Sequence, residues 1–133
     1  MKQFLRILSG LFVLMMLTAC SQSPLQTAVS AKPDDLAQAV NSDMDSFDGF
    51  VEPRQCIQLI FDSSEYNQIL KEIPYVKTKE DVDNDCNNMF SKLANQLNEN
   101  SPYKGLSVSD LKNKAFWQNY DQSQNAKFHI NIQ

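Results

Sequence analysis

The sequence predicts a mostly α fold: a small bundle of four or five short helices held by one disulfide, with a short strand at the C-terminus. Apolar residues recur at three- and four-residue steps in several separate stretches, which is the spacing of a helix with one buried face. Prolines and capping residues stand where those stretches begin and end. Two cysteines, Cys56 and Cys86, lie far apart in sequence without the close spacing of a redox or zinc motif.

Pro33 begins the first helix, with Asp34 and Asp35 in its first turn and Leu36, Ala37, Val40 and Met44 as its stripe. It ends near Asp45, and residues 45–50 form a turn around Gly49. Pro53 starts a second apolar stretch through Cys56, Ile57, Leu59, Ile60 and Phe61, and Tyr66, Ile69, Leu70 and Ile73 continue at helical period. These residues read as helices over about 53–62 and 64–73, or as one helix kinked at Ser63 and Ser64. Thr78 and Asp81 make a capping box for the next helix. Its face is Val82, Cys86, Met89, Phe90, Leu93 and Leu97, and Pro102 lies just past its end. Ser107 and Asp110 cap a helix over about 108–121, and residues 128–132 alternate like a strand, which either pairs with a further strand or lies as an ordered tail.

The disulfide constrains the hairpin. Two straight antiparallel helices turning near residue 76 would leave Cys86 roughly 15 Å from Cys56 at the helical rise. A disulfide needs Cα atoms about 4.4–6.8 Å apart. The chain therefore has to break between 53 and 73, and Ser63 and Ser64 are the natural place.

The N-terminus carries Lys2 and Arg6, then an apolar run from Ile7 to Leu17 holding one Ser and one Gly, then Leu17-Thr18-Ala19-Cys20. The run is shorter than the ~20 apolar residues that span a bilayer, and small residues precede the cysteine as at a secretory cleavage site. An ordinary signal peptide with an incidental Cys20 is the alternative. The four residues resemble the lipobox of a bacterial lipoprotein at every position. That resemblance implies removal of residues 1–19, acylation of Cys20 and attachment to a membrane. Ser21, in place of an aspartate, points by the same resemblance to the outer membrane, facing the periplasm. Residues 21–32 are small and polar, and read as a flexible tether reaching roughly 20 Å. The folded domain would then be residues 33–133. Export also places Cys56 and Cys86 where thiols pair.

Loss of Lys2 and Arg6 leaves ten basic residues against 16 acidic, a formal charge of −6. No basic cluster is present, which argues against nucleic acid as a partner. Asp81, Asp83 and Asp85 open like a calcium loop, but Cys86 and Lys92 stand where that loop needs Gly and Glu. They read instead as acids complementing a helix N-terminus. Asp43, Asp45 and Asp48 form a second acidic group, read as a solvated turn. His129 is the one histidine, and no nucleophile or orienting partner is marked for it. No metal or cofactor is expected.

Aromatic residues concentrate in the last third as Tyr103, Phe116, Trp117, Tyr120 and Phe128. Core packing explains most of them. Phe116 and Trp117 are neighbours, however, and cannot share one helical stripe. If Phe116 is buried, Trp117 is partly exposed, which makes Trp117, with Tyr120 and Tyr103, the candidate partner-binding residues. The functional expectation is a non-enzymatic interaction module in the cell envelope, either an assembly factor or an immunity or inhibitor-type protein. An enzyme or small-ligand binder acting on cell-wall fragments, and a purely structural lipoprotein, are the alternatives.

Overall fold

The computed structural model describes residues 23–44 and 47–131. Cys20 and the leader lie outside the described residues. Among the described residues the chain forms seven helices and no strand.

The first helix, α1 (Pro24–Val29), falls where a flexible tether was expected. Ser23 caps it by accepting a hydrogen bond from the Gln26 N–H at 3.2 Å, and Pro24 fills the first position. This segment has no apolar stripe of its own. It is ordered from outside: Ala28 is fully buried, and the Asn119 side-chain amide donates to the carbonyls of Ala28 and Ala31 at 2.9 and 3.0 Å. From Ser23 onward the chain is therefore part of the folded domain and not a flexible tether.

Helix α2 (Pro33–Met44) buries all four residues of its expected stripe. Helices α3 (Pro53–Phe61) and α4 (Glu65–Glu72) are separate. The Asp62 carboxylate closes the break by accepting from the Ser64 N–H at 3.0 Å and its hydroxyl at 2.7 Å. This is the turn the disulfide requires, and Cys56 and Cys86 are bonded with their Cα atoms 5.5 Å apart.

Helix α5 (Lys79–Asn100) is the long element, about 33 Å at the helical rise. Thr78 and Asp81 form its capping box. Val82, Cys86, Met89, Phe90, Leu93 and Leu97 are all buried along one face, and α2, α3, α4 and α6 pack on it.

The expected helix over 108–121 is two helices, α6 (Val108–Leu111) and α7 (Lys114–Asp121). Ser107 and Asp110 cap the first, and Asn113 restarts the chain by accepting from the Ala115 N–H at 2.9 Å. The break lets α7 turn into the centre, where it touches α1, α2, α3 and α6.

Of the two expectations for residues 128–132, a paired strand or an ordered tail, the described residues up to 131 show the tail. Side chains take the backbone groups that a neighbouring strand would have taken. Gln58 donates its amide to the Asn131 carbonyl at 3.1 Å and accepts the Asn131 N–H at 2.9 Å. Asp121 accepts the Ile130 N–H at 3.0 Å, and the Tyr120 hydroxyl accepts the Lys127 N–H at 2.8 Å. The alternation survives as an in-and-out pattern, with His129 exposed and Ile130 buried, in a strap laid over α3 and α7.

Breaking the Cys56–Cys86 bond, which closes a 30-residue separation, should lower stability by about 3–4 kcal/mol on the chain-entropy model. Denaturant unfolding of the oxidised protein and of its Cys56→Ser/Cys86→Ser variant measures this directly.

Candidate interaction surface

The aromatic residues nominated from sequence are in the core. Trp117 and Tyr120 have no exposed surface, and Tyr103 is 5% exposed. The expectation that Trp117 would be exposed assumed a peripheral helix with a single buried stripe. Helix α7 is instead covered from several sides, so Phe116 and Trp117 are both fully buried while pointing in different directions. The Trp117 ring meets Phe116 and Tyr120 edge-on at 4.9 and 5.3 Å, and its indole N–H donates to the Leu111 carbonyl. Every polar handle is satisfied, as a buried tryptophan requires. None of these three side chains is presented to a partner.

The exposed aromatics are elsewhere. Among the described residues the large hydrophobic side chains left exposed are Phe50, at 58%, and Tyr75, at 72%. They stack on each other, with ring centroids 5.0 Å apart and planes 26° from parallel. Each stands one residue before a buried valine, Val51 and Val76. The valine anchors the loop from inside while the aromatic faces outward.

The loops that carry the pair are pinned to the first turns of α5. The Val51 N–H donates to the Asp85 carboxylate at 2.6 Å. Asp81 accepts the N–H groups of Lys77 and Thr78 at 3.0 and 3.1 Å. Those donors, Lys77 first, hold the Asp81 carboxyl below the usual carboxylate range. A Cβ at Gly49 would lie 2.3 Å from the Phe47 ring, so a side chain there requires that ring to shift. Lys92 pairs with Asp48 at 3.3 Å and sits over the same ring. The result is an exposed aromatic pair on loops whose backbone is tied to α5, with Asp81 and Asp85 beside it, against Lys77; Asp48 and Lys92 lie on the adjoining surface around Phe47.

The three aspartates that resembled a calcium loop serve separate partners. Asp81 caps a helix, Asp83 accepts the Tyr66 hydroxyl, and Asp85 holds the 50–51 backbone. The Asp83 carboxylate is the main cause that pushes the Tyr66 phenol up to about 12. Among the described residues no group of His, Cys, Asp and Glu is arranged to hold a metal ion, and no helix is long and apolar enough to cross a membrane. Asp45 lies outside the described residues.

A second concavity, about 210 Å³, opens beside the disulfide. Leu59, Ile60 and Phe90 give it apolar walls, and Tyr66, Asp83, Asn87 and Lys112 line the remainder. The Asn87 side-chain carbonyl is shut off from solvent there without a hydrogen-bond partner.

Sequence reasoning passed over Phe50 and Tyr75, although a signal existed. Both stand beside a chain breaker, Gly49 or Pro74, and outside every helical stripe. An aromatic residue so placed has no helix face to join.

The two aromatic classes separate in a stability measurement. Trp117→Ala should cost about 3–5 kcal/mol through loss of packing in the core. Tyr75→Ala should cost about 1 kcal/mol or less, since only the exposed stack is lost. Urea unfolding of the two variants distinguishes core from surface.

No protein-family model, curated protein or solved structure matches this chain, so its surface is interpreted from its own residues.

Proposed function

We propose that the chain is a lipid-anchored protein of the bacterial cell envelope that works as a non-enzymatic interaction module, and that Phe50 and Tyr75 are its contact residues. The observation that carries this reading is the exposed, stacked aromatic pair. Aromatic side chains held in one orientation lose little entropy on binding, and such residues dominate the energetics of protein interfaces. The acidic groups at the rim and the net charge of −6 without residues 1–19 favour a partner that brings an apolar knob surrounded by Lys or Arg. An assembly component and a toxin or enzyme to be neutralised would both fit that chemistry. The Leu17-Thr18-Ala19-Cys20 motif supports the address, at the outer membrane and facing the periplasm.

The cleft beside the disulfide favours a second reading, a small-ligand site, because the carbonyl of Asn87 is unpaired next to it.

The first test is fractionation. Wild-type protein should sediment with membranes, and Cys20→Ser should move to the soluble fraction or stay uncleaved. Wild type found wholly in the soluble fraction would remove the anchor from this reading. The second test is photo-crosslinking in cells from residue 75, with residue 129 as the exposed control. A discrete adduct should form from residue 75 alone, and Phe50→Ala should weaken it by an order of magnitude or more, the loss expected of a hot-spot aromatic. Equal adducts from both positions would reject the aromatic face. Absence of any adduct would shift the reading to the cleft.

A further inference from the structure

Only two residues, Ser21 and Gln22, stand between Cys20, the expected lipid attachment point, and Ser23, three residue steps away. A chain cannot exceed about 3.6 Å per residue, so that link spans at most roughly 11 Å whatever its conformation. Beyond it the chain is fixed. Asn119 holds α1 by two carbonyls, and Ala28 is sealed in the core. A 12-residue tether would let the domain turn freely above a membrane; a link of two residues restricts it far more.

The position of the N-terminus in the fold is also defined. Pro24 lies against Gly105, close enough that a Cβ on Gly105 would come within 2.9 Å of the proline ring. Gly105 adopts a φ of +90° and donates its N–H to the Asn98 side chain. Asn98 is in the last turn of α5, whereas Phe50 and Tyr75 pack along its first turns, beside Asp81, Asn84 and Asp85. From Asn84 to Asn98 the helix rises about 20 Å.

We infer that the domain is mounted on the bilayer in a fixed attitude, with its Pro24–Gly105 end against the lipid and the Phe50–Tyr75 face, up to roughly 20 Å away along α5, turned outward. This rests on the lipid-anchor reading above. The exposed aromatic pair could in principle enter the membrane interface itself, where Tyr and Trp side chains collect. Charge opposes that. Glu80, Asp81, Asp83 and Asp85 crowd the first turns of α5, against Lys77, Lys79 and the Lys92 already paired with Asp48, and each acidic group is repelled by anionic headgroups. The anchor thus sets which end meets the lipid, and the acidic turns keep the aromatic face off it and open to a partner.

The experiment uses the full lipidated chain in phospholipid vesicles containing some anionic lipid. A fluorophore is placed at Lys104→Cys or at Tyr75→Cys, and quenching by a headgroup-attached quencher is compared. Quenching at 104 should exceed that at 75 several-fold. Inserting about ten Gly/Ser residues after Ser21 restores a flexible reach of roughly 20 Å, and should lower the quenching at 104 without disturbing the fold. Equal quenching at the two positions, stronger quenching at 75, or no response to the insertion would overturn the fixed attitude. Failure of the wild-type chain to float with vesicles would overturn the anchor itself, and so is distinguished from failure of the orientation.

Discussion

Helix α7 has only eight residues, yet Phe116, Trp117, Asn119 and Tyr120 on it are all buried and point in several directions. A helix with one apolar stripe can lie on a surface; one that is apolar around most of its circumference has to be enclosed. The surrounding elements supply that enclosure. Helices α1, α2, α3 and α6 each contact α7, and the C-terminal strap closes over it. The two polar side chains on α7 make the arrangement specific. Asn119 takes the carbonyls of Ala28 and Ala31, and the Tyr120 hydroxyl donates to Asn41 while accepting the Lys127 N–H. A buried amide or hydroxyl left without partners costs about 1–3 kcal/mol. Each of these groups therefore selects the one packing in which its partners arrive.

The disulfide adds a second constraint. It ties α3 to the second turn of α5, and α4 must then leave α3 at an angle. The loop at Val51 is drawn to Asp85, one residue from Cys86. The covalent bond and the loop that carries Phe50 are thus both attached to one turn of α5.

The helices with a stripe of their own were readable in the sequence. The residues 36, 37, 40 and 44 of α2, the capping box at Thr78, the break at Ser63–Ser64 and the Cys56–Cys86 bond all follow from local chemistry. Structure that depends on distant partners was not readable. Residues 24–29 carry no stripe, and their order comes from Asn119, more than eighty positions away. The strap alternates like a strand because its residues face in and out, but Gln58 takes the place of the neighbouring strand. The burial of Trp117 could not be read from α7 alone, since a helix's own sequence does not say how many neighbours cover it. The exposed pair was hard to read for the complementary reason. Phe50 and Tyr75 lie outside every apolar stripe, and the absence of a stripe is what signals exposure.

These two kinds of aromatic residue divide the work in a small domain. With a core of modest size, moving an aromatic side chain from interior to surface sacrifices burial, at roughly 25 cal/mol per Å² of apolar area. The chain nonetheless leaves two such rings outside. They are stacked on each other, which recovers part of the lost contact, and each is fixed by a buried valine and by an aspartate that binds neighbouring backbone N–H groups. A side chain exposed by accident needs no such support. Under the proposed interaction role, loops fixed in this way would lower the ordering cost that association otherwise carries.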